Sequence, residues 1–211
     1  MTDSAEPPTS PVEAAGVRER IGVMGGAFDP PHVAHRALAD TALRELKLDE
    51  LRIYPTGQAW HKATPLSPAA DRLAMAQLTF ASLPKVVVDD AEMRRMGPTY
   101  TLETLQALHE ARPRAHLFLV IGADQARHFE HWHGWQDILR LATLAVAERD
   151  AAAGQWHNSA WGPVERLHMP LSDLSATEIR QRCREGLPID RLVTPEVAAY
   201  LEQHGLYAAH S

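Results

Sequence analysis

Two glycines and two histidines stand close together near the start of the chain, in "VMGGAFDPPHVAHRALAD". Gly25 and Gly26 end a short apolar run, and His32 and His35 follow at a spacing of three residues. Glycine lets backbone N–H groups approach a ligand closely, and histidines three apart share one face if a helix begins there. The amino end of such a helix adds a partial positive charge. The segment therefore predicts an anion site into which two imidazoles can donate hydrogen bonds or protons.

Several common kinds of site are excluded by the spacing. The sequence contains no G-x-x-x-x-G-K-[ST], no G-x-G-x-x-G and no H-E-x-x-H, so a Walker A loop, a dinucleotide fingerprint and a zinc-protease site do not fit. His128, His131 and His133 form a second histidine group, but their irregular, carboxylate-poor spacing matches no standard metal site. We therefore expect no metal held by protein side chains. On the residues alone, a tight strand-to-helix turn with two surface histidines remains the alternative for the first group.

The elements that must position this segment alternate between short apolar runs and helical patterns. The apolar runs predict strands near 20–25, 50–55, 85–90, 115–122, 143–148 and 165–170. Helical patterns lie near 32–47, 68–82, 100–111, 123–130, 135–141 and 175–185. Such alternation predicts an α/β fold, with a Rossmann-like, doubly wound, mostly parallel sheet flanked by helices. Ligands bind such sheets beyond the carboxyl ends of the strands, which is where the glycines and histidines fall.

Helix starts and one loop carry local signals. Ser67 followed by Pro68 predicts an N-cap and a first helical residue. Ser175 followed three residues later by Glu178 predicts a capping box. Residues 150–163 show no periodicity and predict a surface loop.

Composition limits the class of protein. The 211 residues, 45% of them hydrophobic, suffice for one medium domain with a buried core. The net charge is 21 − 27 = −6, which argues against nucleic acid as a partner. The lone cysteine, Cys183, excludes an internal disulfide, and no run approaches the roughly 18 apolar residues of a membrane span. We therefore expect a cytoplasmic protein that does not bind membranes.

The domain organisation follows from the same composition. Acidic, proline-rich residues 1–18 predict a disordered N-terminal tail. We expect residues 19–211 to form a single domain whose C-terminal part, at about 175–207, is small and helical.

Beyond these patterns, "GGAFDPPHVAH" resembles the first signature of the nucleotidyltransferase superfamily, in which an H-x-x-H element follows the first strand. More specifically, the sequence resembles bacterial nicotinate-mononucleotide adenylyltransferases, from about residue 20 to Tyr207. The resemblance includes, in order, "PTGQAWHK", "MRRMGPTYTLETL", "IGAD", "HFEHWHGWQDIL", "LSATEIR" and the closing "GLY". Ala34 stands where the family often has glycine. Several motifs in one order form a stronger signal than any single motif.

The resemblance implies the nucleotidyltransferase type of this fold and a specific reaction. The phosphate of nicotinic acid mononucleotide attacks the α-phosphorus of ATP, pyrophosphate leaves, and nicotinic acid adenine dinucleotide forms, as a step of NAD biosynthesis. His32 and His35 would be catalytic, with His35 the main stabiliser of charge on the α-phosphate. Mg²⁺ is the expected cofactor, held mainly by the ATP phosphates and water. The oligomeric state stays open between monomer and homodimer.

The same resemblance implies two sets of binding residues. The set for ATP is Gly25, Gly26, Ala27, Phe28, His61, Lys62, Gly122, Asp124, Ser175, Thr177 and Arg180. The set for the nicotinate nucleotide is Tyr100, Thr101 and Trp132, where backbone N–H groups would bind the carboxylate and the indole would stack on the ring. On the residues alone, plain helix caps at Asp124, Ser175 and Thr101 and a core tryptophan at Trp132 remain alternatives.

Three other functions are weighed against this one. Pantetheine-phosphate adenylyltransferases share the superfamily, but they tend to be shorter and lack the "GPTYT" and tryptophan segments. A non-catalytic nucleotide-binding regulator would be expected to have lost a histidine or the "SATEIR" helix, and this chain keeps both. A fragment of a class I aminoacyl-tRNA synthetase would need a lysine-rich second signature, which the sequence lacks.

Overall fold

One six-stranded sheet organises the protein. The computed structural model describes residues 18–57, 66–148, 159–169 and 174–209. The strands are β1 (Arg20–Gly26), β2 (Glu50–Pro55), β3 (Val86–Val88), β4 (His116–Gly122), β5 (Ala142–Glu148) and β6 (Val164–His168). Their order is β3-β2-β1-β4-β5-β6, and every neighbouring pair is parallel. The predicted fold class is confirmed, and among the described strands the sheet is parallel throughout.

Helices cover both faces of this sheet because its strands are apolar on both sides. The helices are α1 (Val33–Glu45), α2 (Ala69–Phe80), α3 (Ala91–Arg94), α4 (Thr101–Ala111), α5 (Ala123–Ala126), α6 (Trp135–Leu141), α7 (Ala176–Arg184) and α8 (Pro195–Gln203). Along β4, Leu117 and Leu119 join one apolar core with α4 and α6. Phe118 and Val120 point the other way and join a second core with α1 and α2. In the part of the chain that the structure describes, no helix combines the length and apolar character needed to cross a bilayer.

The C-terminal helices form a third apolar cluster beside the first turn of α1. Ile179 of α7 and Val197 of α8 pack around Met75 of α2. The backbone N–H of Val33 donates to the carbonyl of Leu192, at 3.0 Å, in the segment that leads into α8. The end of the chain therefore lies next to the histidine segment near its beginning.

The structure differs from two local predictions at a buried aromatic ring. All six predicted strands are present, with ends that differ by at most two residues, but the predicted helix 123–130 ends at Ala126. The backbone at His128 leaves helical geometry (φ −111°, ψ 8°), and a 3₁₀ turn then places Phe129 in the core. In the predicted surface loop 150–163, Trp161 is buried, and its indole N–H donates to Glu130 at 3.0 Å. Residues 149–158 lie outside the described residues, as do residues 1–17 of the predicted tail.

The start of α2 also differs from the prediction. Pro68, not Ser67, is the N-cap residue, and Ala69 is the first helical residue. The backbone of Ser67 is hydrogen-bonded to two other side chains. Its N–H donates to the carboxylate of Asp29 at 3.2 Å, and its carbonyl accepts from Arg72 at 3.0 Å.

Arg72 is a buried cation that joins two loops at the carboxyl edge of the sheet. It is 2% exposed, and besides Ser67 its guanidinium donates to the backbone carbonyls of Ala27 (2.9 Å), Thr56 (2.7 Å) and Gly57 (3.2 Å). Ala27 follows β1, and the other two follow β2. Because buried carbonyls need partners, one side chain holds both loops in place.

Replacing Arg72 with Met should lower the free energy of unfolding by about 3 kcal/mol. Methionine keeps much of the aliphatic length but leaves four backbone carbonyls without their charged donor. Urea unfolding followed by circular dichroism measures the loss.

Arg44→Ala is the matched control. Arg44 lies on α1 in an exposed ion pair with Asp40, so its removal should cost less than about 0.5 kcal/mol. Equal losses in the two variants would contradict the structural role of Arg72.

Candidate active site

The paired histidines lie at the amino end of α1, beyond the carboxyl end of β1. His32 is the N-cap residue, with extended backbone (φ −142°, ψ 171°), and His35 lies in the first turn. Their rings stack with centroids 3.7 Å apart. The structure therefore brings the two imidazoles together, as the spacing predicts.

A backbone hydrogen bond determines which nitrogen of His35 carries the proton. The N–H of His32 donates to Nδ1 of His35 at 3.2 Å. A nitrogen that accepts a hydrogen bond has no proton, so neutral His35 holds its proton on Nε2. Nε2–H is then the group that can donate to a ligand oxygen.

Both imidazoles are neutral near pH 7 in the free protein. Burial lowers the pKa of His32 from 6.5 to about 4. Burial also lowers the pKa of His35 well below 6.5, and the neighbouring His32 lowers it further. The two imidazoles are therefore neutral in the free protein. A bound anion would favour their protonation, because a nearby negative charge stabilises the charged form of the ring.

His32 also has an orphaned polar atom. Its Nδ1 is buried and has no hydrogen-bond partner among the described residues. Buried polar atoms are normally paired with protein, water or ligand. The histidine turn therefore has unused hydrogen-bonding capacity at the predicted phosphate site.

The amino end of α7, predicted as a second phosphate site, lies beside the same turn. Arg180 donates to the carbonyl of Asp29 at 2.6 Å and to the hydroxyl of Thr177 at 3.1 Å. Ser175 caps the helix by accepting a hydrogen bond from the N–H of Glu178 at 3.2 Å. Helix α7, from near the end of the chain, thus contacts the loop that leads into α1.

A cleft of about 580 Å³ opens at this edge of the sheet. It is lined by residues from the end of β1, the turn before α4, α5 and the segment before α6. The predicted site residues in its lining are Gly25, Gly26, Ala27, Tyr100, Thr101, Asp124 and Trp132. Residues predicted for the two substrates therefore share one cavity.

The ring of Phe28 packs against one of the two histidines. Its side chain is 2% exposed, and its ring packs edge-on against His35, with centroids 5.1 Å apart. A Cβ on Gly26 would come within 3.2 Å of the same ring, so a larger residue there would push the ring away by a few tenths of an ångström. Phe28 is buried as a whole residue and is not among the residues that line the cleft, so the structure does not bring this predicted ATP-binding residue into the cavity.

The structure decides three of the alternatives left open by the sequence. Asp124 is not a helix cap, because Gly122 is the N-cap residue of α5, and the Asp124 carboxylate is exposed and paired with Arg127. Thr101 is the first residue of α4 rather than its cap, which is Tyr100. Trp132 packs partly against the core and also lines the cleft, so it is not simply a core residue.

Other residues of the cleft were missed by the sequence patterns. Glu92 lies in the short helix α3, where it is buried and accepts a hydrogen bond from the hydroxyl of Thr104 at 2.7 Å. Burial raises the pKa of this carboxyl group. Thr99 has a buried hydroxyl without a partner among the described residues, and the ring of His133 lies 4.5 Å from that of Tyr100. A four-residue helix leaves no periodicity, so only the "GPTYT" motif beside it could have pointed to Glu92.

Some predicted features lie elsewhere. His61 and Lys62 fall outside the described residues.

A larger groove, of about 880 Å³, lies at the amino edge of the sheet and is lined by Arg112 and Arg140. Those arginines stand at the carboxyl ends of α4 and α6, where positive charge offsets the helix dipoles. None of the predicted site residues lines this groove.

The buried histidines should make stability depend on pH. The pKa of His32 is lower in the folded protein than in the unfolded chain, so the unfolded chain takes up this proton first as pH falls. The contribution of His32 to the free energy of unfolding is therefore complete above pH 6.5 and is lost as pH falls toward 4. The stability difference between the wild type and His32→Gln should therefore shift against the wild type by about 2 kcal/mol between pH 7 and pH 5. Urea unfolding at both pH values measures the shift, and a constant difference would contradict it.

Comparisons with known proteins identify the family of this chain. A cytidylyltransferase-like family model matches residues 23–182. A protein of Albidiferax ferrireducens named "Probable nicotinate-nucleotide adenylyltransferase" is 51% identical over 197 residues, which cover 90% of this chain and 98% of that protein. A protein of the same name from Methylibium petroleiphilum is 39% identical over 92% of this chain and 95% of its own length.

A solved structure shows the same fold. The Plasmodium falciparum nicotinic acid mononucleotide adenylyltransferase complexed with NaAD superimposes with a TM-score of 0.72 at 18% identity, over 90% of this chain and 98% of that one. This likeness shows the fold. The chain therefore belongs to the nicotinate-nucleotide adenylyltransferases of the cytidylyltransferase-like family.

Proposed function

We propose that this protein transfers the adenylyl group of ATP to nicotinic acid mononucleotide, forming nicotinic acid adenine dinucleotide and pyrophosphate in NAD biosynthesis. The observation that carries the proposal is a cleft at the carboxyl edge that Gly26, Tyr100 and Trp132 line together, at the end of the strand that leads into the histidine turn. The names of the relatives support the same reaction. The Plasmodium falciparum enzyme, which has the same fold, was solved in complex with NaAD.

The reaction needs positioning and charge stabilisation more than a strong base. The attacking phosphate of the mononucleotide is already an anion, and charge spreads over the α-phosphate of ATP as pyrophosphate leaves. His35 would donate from Nε2–H to an oxygen of the α-phosphate. Its neighbour His32 and the amino ends of α1 and α7 would bind the remaining phosphate oxygens.

Mg²⁺ would accompany ATP. The donors at this edge are imidazoles, N–H groups and a guanidinium, which suit phosphate oxygens, and no metal-holding group of three or more His, Cys, Asp or Glu side chains occurs within the described ranges. The ion would therefore be held by phosphate oxygens and water, and it would neutralise charge on the phosphates.

The amino end of α4 would recognise the nicotinate carboxylate. The first N–H groups of a helix have no partner within it, and here they begin at Thr101 beside the cleft. A carboxylate accepts from such donors, whereas an amide would turn its own NH₂ group toward them. The indole of Trp132 would stack on the pyridine ring. The site should thus prefer the acid mononucleotide over the amide.

A cytoplasmic location and the choice between monomer and homodimer stay predictions.

Pyrophosphate release from ATP and Mg²⁺ tests the substrate directly. We expect kcat/KM for nicotinic acid mononucleotide to exceed that for the amide mononucleotide by about tenfold or more, because the amide leaves helix donors unpaired. Phosphopantetheine is assayed in parallel. Comparable values for acid and amide would overturn the predicted preference, and release with phosphopantetheine alone would overturn the proposed function.

Single-turnover kinetics test the role of His35. His35→Ala should lower the rate by about 10²–10³, as for loss of one donor to a developing charge, while circular dichroism shows an unchanged fold. His109→Ala is the control, since this exposed histidine lines the groove at the opposite edge of the sheet. A loss below about threefold for His35→Ala would remove the residue from the mechanism.

A further inference from the structure

A tyrosine near the end of the chain bonds to the segment that carries the catalytic histidines. The hydroxyl of Tyr207 donates to Oδ1 of Asp29, which lies 178 residues earlier in the chain. Asp29 is 4% exposed, and it precedes His32 by three residues. Burial and the bond to Asp29 raise the pKa of Tyr207, so its hydroxyl stays protonated and can donate throughout the neutral range.

Three segments converge on Asp29. Tyr207 holds one carboxylate oxygen, and the N–H of Ser67 donates to the other at 3.2 Å. The guanidinium of Arg180 donates to the backbone carbonyl at 2.6 Å. The C-terminal segment, the start of α2 and helix α7 therefore jointly set the orientation of this residue.

The orientation of Asp29 is passed on to the histidines. Only Pro30 and Pro31 separate it from His32, and their rings fix φ near −65°. This connection restricts the directions in which the backbone N–H of His32 can point. That N–H in turn donates to Nδ1 of His35, which places the remaining proton on Nε2.

We propose that Tyr207 is a positioning residue for adenylyl transfer, which holds Asp29 so that His32 and His35 keep the geometry and the tautomer that the α-phosphate requires. The proposal rests on the proposed function. Tyr207 acts through Asp29 and the proline pair, and it supports the reaction from the opposite end of the chain.

The chain offers a matched control for this bond. Tyr200 of α8 donates its hydroxyl to Oδ1 of Asp71 at 2.8 Å, and Asp71 lies in the first turn of α2. Both tyrosines pack against the same C-terminal apolar cluster. Tyr→Phe at either position removes one tyrosine–aspartate bond between the C-terminal part and the rest of the protein. Only Tyr207 is bonded to the residue that precedes the histidine turn.

Steady-state kinetics of the full-length Tyr207→Phe and Tyr200→Phe variants separate positioning from stability. We expect Tyr207→Phe to lower kcat by about tenfold and to raise KM for ATP, with KM for the mononucleotide unchanged, because misplaced reacting groups are costly. Tyr200→Phe should keep the wild-type kcat, while thermal unfolding shows a similar loss of stability in both variants. An unchanged kcat in Tyr207→Phe, or an equal fall in both variants, would overturn the proposal.

Imidazole ¹⁵N NMR provides a readout that does not depend on activity. In the wild type, His35 should appear as the Nε2–H tautomer, and Tyr207→Phe should show a mixture of tautomers while Tyr200→Phe does not. A wild-type tautomer in Tyr207→Phe would contradict the positioning role. If the wild type forms no dinucleotide although the tautomer changes as expected, the proposed function fails and the structural link between Tyr207 and His35 stands.

Discussion

The hydrogen bonds of one buried guanidinium set the geometry on which the rest of the site depends. Arg72 joins the loops after β1 and β2 through backbone carbonyls that would otherwise lie buried without partners. Burial lowers its pKa, and the nearby Asp29 opposes that shift, so the cation and the carboxylate stabilise one another inside the protein. Since Asp29 also anchors Tyr207, the charge pair connects the core of the loops to the end of the chain.

The site that these loops shape consists largely of neutral donors. His32 and His35 are uncharged near neutral pH because burial disfavours their protonated forms. Helix amino ends contribute N–H groups and partial charge without adding a formal charge. In a protein of net charge −6, a local arrangement of this kind can attract a polyphosphate where the overall charge cannot.

The site also depends on contacts between distant parts of the chain. Arg180 reaches Asp29 across 151 residues, and the apolar cluster of α2, α7 and α8 keeps the C-terminal helices seated against the amino end of α1. The cleft is assembled in the same way, since the start of α4 and the segment around Trp132 line it from separate elements of the fold. The proposed site thus depends on the C-terminal part of the chain as well as on the loops after β1 and β2.

The sequence by itself determined the strands, most helices, the parallel α/β class and the histidine turn. Each of these leaves a local pattern, such as a continuous apolar run, a cap at Ser175 or an H-x-x-H spacing. Only the tertiary structure decided the hydrogen-bond partners of Arg72, Glu92 and Tyr207. It also decided the burial of Trp161 and the neutrality of the histidines. These properties depend on atoms that come from segments far apart in the chain, and desolvation exists only after those segments have packed together. A periodicity records which face of an element is buried, but it does not record which distant side chain will meet a carbonyl or a carboxylate there.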